Sequence, residues 1–167
     1  MKVADVMSRS TVFASPDASF KSLWRSIIKN KINSVPVVDK NKKLLGIVTR
    51  ENLLEKLYPD YSDLFASELE VPDFEDMETK ILELSGLKAQ DVMSKRVIYT
   101  HEETPVMRAL SRMIVRRVNQ LPVLSDKGAL IGVVTKGDIF SSMFRTHMGK
   151  GAKKKQHVPV DKKKYKA

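Results

Sequence analysis

Lys2-Val3-Ala4-Asp5-Val6-Met7-Ser8 and Lys88-Ala89-Gln90-Asp91-Val92-Met93-Ser94 are one phrase written twice, 86 positions apart. The same offset carries Asn33-Ser34-Val35-Pro36-Val37 onto Asn119-Gln120-Leu121-Pro122-Val123. It also carries Leu44-Leu45-Gly46-Ile47-Val48-Thr49 onto Leu130-Ile131-Gly132-Val133-Val134-Thr135. Residues 1–54 and 87–140 share thirteen identities with no gap. A fixed period across separated motifs marks a duplicated structural unit.

Positions that differ keep the pattern. Phe20, Leu23, Trp24, Ile27 and Ile28 recur as Val106, Ala109, Leu110, Met113 and Ile114. That spacing predicts one apolar stripe on an amphipathic helix, packed into a core. Thr104-Pro105 is a start signal, with Pro105 predicted as the first helical residue. Val35–Val38 and Leu121–Leu124 predict short strands, each with its proline at a start or an edge. Polar turns at Asp39-Lys40-Asn41-Lys42 and Ser125-Asp126-Lys127-Gly128 lead into second strands over Leu44–Thr49 and Leu130–Thr135, closing two hairpins. Arg50–Leu57 and Lys136–Phe144 read as helices. Val12-Phe13 and Val97-Ile98-Tyr99 read as entry strands.

Each unit is therefore β-α-β-β-α, and the fold class is α/β (α+β). A short hairpin with helices on one face leaves the other face bare, so the two units are expected to pack face to face. The predicted divisions are a first repeat over 1–58, an acidic insert over 59–86, a second repeat over 87–145 and a basic tail over 146–167. Tyr58-Pro59-Asp60-Tyr61 reads as a turn. Phe74, Met77, Ile81 and Leu84 predict a helix over Asp73–Ser85 that stops at Gly86.

The net charge of +10 is unevenly placed. From Arg145 onward there are nine basic residues and one acid, Asp161, while residues 60–83 hold nine acids against Lys80 alone. Body, insert and tail therefore need separate readings. The tail has too few apolar residues for a core. It reads as a solubilising tail, or its lysines suit a polyanion such as nucleic acid, or an anionic membrane surface. Tyr165 is its one aromatic residue, so a base-stacking platform is missing.

The chain has no cysteine, which excludes disulfides and thiolate chemistry and suits a reducing compartment. No apolar run approaches the ~18 residues of a membrane span. Met1–Met7 lacks a signal-peptide core, so a cytoplasmic protein is expected. His101, His147 and His157 show no metal-ligand spacing. There is no Gly-x-Ser-x-Gly elbow, and Gly149-Lys150-Gly151 lacks the frame of a phosphate-binding loop. Glu102-Glu103 precedes a helix and is expected to complement its dipole. A non-catalytic protein is expected.

Asp-Val-Met-Ser, then Asn-x-x-Pro-Val, then Gly-x-Val-Thr-x-x-Asp/Asn, ordered and occurring twice, resemble the cystathionine-beta-synthase (CBS) domain. The tandem pair resembles a Bateman module. The resemblance covers about 1–58 and 87–145. It implies two repeats about a pseudo-twofold axis and clefts for adenosyl ligands such as AMP, ADP, ATP or S-adenosylmethionine. It also implies homodimerisation and a regulatory role with no catalytic cofactor. Signalling would run through ligand-dependent rearrangement, read by a protein partner the sequence does not name.

By the same resemblance, Asp138 in Thr135-Lys136-Gly137-Asp138 accepts hydrogen bonds from ribose hydroxyls. A carboxylate can meet both donors of a diol, and such charged hydrogen bonds contribute roughly 1.5–3 kcal/mol each. Read alone, Thr135 and Asp138 also form a capping-box-like pair at a strand-to-helix junction. The first repeat carries Asn52 after Thr49, with one acceptor, one amide donor and no charge. The second repeat's site is therefore expected to be the stronger.

The adenine is expected along the backbone of Asn119, Gln120, Leu121 and Pro122, beside Val97. Pro122 removes a donor and leaves neighbouring backbone groups for a base edge. Thr11, Ser34, Val35 and Pro36 are the first-repeat counterparts; the other reading of these stretches is plain strand. Lys95, Arg96, Arg116, Arg117 and Lys136 are expected at the rim of the second cleft, and Arg9 and Arg50 beside the first. They serve either as phosphate ligands or as solvated surface charges. Two rival functions remain at this level. One is nucleic-acid association through the tail, with the pair as dimer scaffold. The other is a structural adaptor with degenerate clefts.

Overall fold

The computed structural model describes residues 1–57 and 74–148. The first repeat contains α1 (Phe20–Asn30), β1 (Ser34–Val38), β2 (Leu44–Thr49) and α2 (Arg50–Leu57). The insert contributes α3 (Phe74–Leu84), and a short turn of helix, α4 (Ala89–Val92), opens the second repeat. The second repeat contains β3 (Thr100–His101), α5 (Val106–Val115), β4 (Gln120–Leu124), β5 (Leu130–Thr135) and α6 (Lys136–Met148). The turn expected at 58–61, the acidic stretch before α3 and the tail beyond Met148 lie outside the described residues. No described helix is long and apolar enough to cross a membrane.

Both hairpins form as expected and in the same register. Pro36 stands opposite Ile47 and Pro122 opposite Val133, and each ladder slips by one residue after Val37 or Val123. The helical stripes pack into the cores, with Leu23, Ile27, Ala109 and Met113 essentially inaccessible. Ile28 and Ile114 do not join them: each is 59% exposed. At 100° per residue Ile28 lies about 80° round the helix from Phe20, at the margin of the stripe. Pro105 is the N-cap of α5 rather than its first residue.

The entry strands sit further along than Val12-Phe13 and Val97–Tyr99. In the first repeat, only Ala14 bridges to β1, through Ala14 N–H to the Pro36 carbonyl and Val38 N–H to the Ala14 carbonyl, both 2.9 Å. In the second, Thr100 and His101 pair in parallel with Val123 and Leu124. The prolines explain the shift. A parallel strand extended back to Val12 or Ile98 needs the N–H of residue 36 or 122 as donor, and proline has none. The ladder stops there and leaves a gap along each strand edge.

The DVMS-type segments cross over. Ser8 exchanges two backbone hydrogen bonds with Val133, at 2.9 and 3.0 Å, and Ser94 does the same with Ile47. Residues at the start of the chain thus extend the second repeat's sheet, and residues at the start of the second repeat extend the first's. The cores follow. Val3, with Val6 and Met7, packs in the cluster of Leu110, Leu121 and Ile139. Leu84, Ala89 and Val92 pack with Leu23, Val37 and Leu53. Asp5 and Asp91 cap their own turns, accepting from Lys2 N at 2.7 Å and Lys88 N at 2.8 Å. Lys2 pairs with Glu103 and Arg9 with Glu102, while Lys88 reaches Asp17. Glu102 and Glu103 therefore hold the crossing segment, beyond any dipole contribution. A third cluster of Val38, Leu124 and Leu130, with Leu44 against it, joins the hairpins where Leu130 N meets the Lys42 carbonyl at 2.8 Å. This is the missing core that face-to-face pairing was expected to supply.

α3 occupies most of its predicted span. Leu84 enters the first core, whereas Ile81 is 47% exposed, so the stripe is only partly used.

Two stability predictions arise here. Among the described residues the buried Thr100 hydroxyl has no hydrogen-bond partner, at a position that is alanine (Ala14) in the first repeat. Thr100→Val should raise the unfolding free energy by about 1 kcal/mol, read by urea titration. Lys31 ends α1 in the left-handed region at φ 52°, where Ile32 N bonds the Ile27 carbonyl at 3.1 Å. That position favours glycine. Lys31→Gly should gain about 1 kcal/mol, and an unchanged midpoint would show the turn to be unstrained.

Candidate functional site

Two clefts lie about the pseudo-twofold axis, and Pro36 lines one of them. Gln120 and Ser34, equivalent under the 86-residue offset, form their shared wall, with Gln120 Nε2 donating to Ser34 Oγ at 2.6 Å and to the Ser34 carbonyl at 3.2 Å. Each cleft is composite. One, of about 410 Å³, joins Thr135 and Asp138 to Ser8, Thr11, Ser34 and Pro36. The other, of about 360 Å³, joins Thr49 and Asn52 to Ser94, Val97, Asn119 and Gln120.

This pairing corrects the expected grouping. Asp138 was placed with Val97 and Asn119–Pro122, and Asn52 with Thr11 and Ser34–Pro36. The structure exchanges the partners, because the residues preceding each entry strand run on from a segment that belongs to the other repeat's sheet. Some candidates do not reach either cleft. Val35 and Leu121 turn into the cores opposite Val48 and Val134. Pro122 is buried and Lys95 is exposed, and neither lines the cleft walls. Lys136 stays outside, its Nζ 3.4 Å from Asn119 Oδ1. Arg9 is occupied by Glu102, and Arg50 points to the Ile32 carbonyl at 3.4 Å. Sequence reasoning missed Ser8 and Ser94 as wall residues; their recurrence at the end of the repeated phrase was the available signal.

The two carboxylate oxygens of Asp138 stand in different surroundings. Oδ2 accepts from Thr135 N at 2.8 Å and Thr135 Oγ1 at 2.7 Å, while Thr135 Oγ1 accepts from Asp138 N at 3.0 Å. This reciprocal box starts α6. It leaves Oδ1 without a hydrogen bond among the described residues, on a half-buried side chain that lines the cleft. The diol was expected to meet both carboxylate oxygens; one is already taken. Asn52 builds the same box, accepting from Thr49 N and donating its N–H to Thr49 Oγ1, both 3.1 Å. With its oxygen engaged there, what remains is the amide Nδ2, a donor. The two clefts thus present opposite polarity at the same position: an anionic acceptor in one and a neutral donor in the other.

The cations fall with Asn52. Arg96 and Arg117 line the Asn52 cleft, and among the described residues no lysine or arginine lines the Asp138 cleft. This reverses the expectation that they rim the site of Asp138. Among the described residues, no group of three or more His, Cys, Asp or Glu could hold a metal ion.

The CBS domain model matches residues 3–59 and 89–145. A CBS domain-containing protein of Dictyostelium discoideum is 31% identical over 143 residues, covering 86% of this chain and 91% of its own. An uncharacterised protein of Methanocaldococcus jannaschii is 27% identical, again covering 86% of this chain and 91% of its own. Among solved structures, a CBS domain pair in complex with 5′-methylthioadenosine and S-adenosyl-L-methionine is 25% identical with a TM-score of 0.64, covering 87% of this chain and 97% of that one. A CBS-pair protein of Arabidopsis thaliana has a TM-score of 0.69 at 21% identity, covering 87% and 95%. Two matched repeats, two crossed linkers and two clefts on one axis fit together: this chain belongs to the CBS domain family, as a tandem pair.

Proposed function

We propose that this protein is a non-catalytic sensor of an adenosyl metabolite, with the nucleoside held in the Asp138 cleft. The observation that carries this reading is the free Oδ1 of Asp138, set in a cleft wall by a carboxylate whose other oxygen is already fixed by Thr135. A preset acceptor suits a sugar hydroxyl without first having to be ordered. The Pro36 gap supports the same reading, since a strand edge that ends early leaves backbone polar groups for a base. The related domain pair solved with 5′-methylthioadenosine and S-adenosyl-L-methionine supports the ligand class. Calorimetry with AMP, ADP, ATP, 5′-methylthioadenosine and S-adenosylmethionine tests it. Binding heat or a rise in melting temperature with at least one is expected; silence from all five ends the reading.

Signalling follows from the crossed segments. Ser8 and Thr11 line the Asp138 cleft and belong to the segment that completes the second repeat's sheet. A ligand there bridges both repeats, so it favours whichever relative placement gives it more contacts. A homodimer belongs to the same proposal. Ile28, Ile114, Phe140 and Phe144, on α1, α5 and α6, are each about half exposed or more. Sedimentation of wild type against Ile114→Asp reads this directly: a dimer that becomes monomeric is expected.

A further inference from the structure

The repeats differ in charge at three equivalent positions and in the type of cation at a fourth. Arg96, Arg112, Arg116 and Arg117 stand where the first repeat has Ser10, Ser26, Asn30 and Lys31. Arg96 and Arg117 line the Asn52 cleft. Arg96, Arg112 and Arg116 line an adjoining pocket of about 550 Å³ that shares Val97 and Ile98 with that cleft. Arg112 is anchored, its Nη1 donating to the Tyr99 carbonyl at 2.6 Å. Tyr99 and His101 complete the pocket, their rings 5.6 Å apart edge to face. Among the described residues, Glu51 is the one acid on the walls of the two cavities.

Arg117 occupies its place against a backbone preference. It lies one residue past the C-cap of α5, at φ 54°, the left-handed position that Lys31 takes in the first repeat. Asn52 adds an amide donor to the same wall. Guanidinium groups and an amide recognise oxyanions, and two adjoining cavities suit a chain longer than one phosphate. The Asp138 cleft has the opposite character, with a carboxylate and, among the described residues, no lining cation.

We propose that the Asn52 cleft and its adjoining arginine pocket form a polyphosphate site, while the Asp138 cleft takes an uncharged nucleoside end. The two clefts sort ligands by charge rather than duplicating each other. The polyphosphate half stands without the sensor reading; the nucleoside half rests on it.

The test titrates the full chain with inorganic tripolyphosphate, orthophosphate and adenosine, followed by calorimetry and backbone amide NMR. Tripolyphosphate should bind more tightly than orthophosphate and shift the amides of Ser94–Ile98, not those of Ser8–Val12. Its affinity should fall as salt rises. Arg96→Ser and Arg116→Asn, which import the first repeat's residues at exposed positions, should each weaken it roughly fivefold and leave the urea midpoint unchanged. Replacing Lys153, Lys154 and Lys155 by glutamine should leave that affinity intact. Loss of tripolyphosphate binding in the lysine variant, or indifference to both arginine variants, overturns the polyphosphate site. Adenosine should shift Ser8–Val12. If it shifts nothing while tripolyphosphate behaves as stated, the nucleoside half and the sensor reading fail and the polyphosphate site survives.

Discussion

Gly132→Val is expected to lower the unfolding free energy by about 3 kcal/mol, the upper end of what overpacking a tight interior does. A Cβ at Gly132 would lie 2.6 Å from the Ser8 carbonyl oxygen and 3.3 Å from Met7 Sδ. The first of these is backbone, and it belongs to the crossing segment hydrogen-bonded to Val133. Relief requires the segment to move off the sheet edge, which breaks both Ser8–Val133 bonds and lifts Val3 and Met7 from the second core. Gly132→Ala should already cost about 2 kcal/mol. The equivalent change in the first repeat should be milder. At Gly46 the nearest atoms are Met93 Sδ at 2.5 Å and Met93 Cγ at 2.8 Å, with the Ser94 carbonyl at 3.0 Å. A thioether can swing aside where a carbonyl cannot, so Gly46→Ala should cost about 1 kcal/mol. Equilibrium urea unfolding of the three variants reads the order. Equal stability of Gly132→Ala and wild type would remove the tight edge on which the crossed architecture depends.

Asp138 carries the second large effect, and Asn52 shows how to separate its roles. Asp138→Ala removes both the helix cap and the free oxygen. It should cost about 1 kcal/mol of stability as a lost cap and weaken AMP binding about tenfold or more. Asp138→Asn should keep the cap, because Asn52 already caps α2 with bonds of 3.1 Å in the same arrangement. Its stability should therefore stay near wild type while AMP affinity still falls about tenfold. Calorimetry and urea titration on the two variants give four numbers, and the contrast between them is the result. Should Asp138→Ala melt early yet bind AMP as wild type does, Asp138 is a cap and nothing more.

Much of this was legible before any coordinates. The 86-residue offset located both hairpins and both main helices, because hydrophobic spacing and turn residues act over a few neighbours and each repeat vouched for the other. Thr135 with Asp138, and Thr49 with Asn52, were readable as capping pairs for the same reason: their partners are three residues away. The entry strands were displaced because the deciding fact, the missing N–H of Pro36 and Pro122, acts on a strand twenty-odd residues distant.

Residue order by itself determined that two like units exist, what each is made of, and that one carries a carboxylate where the other carries an amide. Only the tertiary structure decided which wall faces which. Ser8 lies on the second repeat's sheet and Ser94 on the first's, so each cleft borrows a side from the other repeat, and the arginines fall opposite Asn52 rather than Asp138. The physical reason is that edge pairing and core burial reward contact wherever the chain can reach. A segment between two equivalent surfaces leaves no local trace of which it will cover.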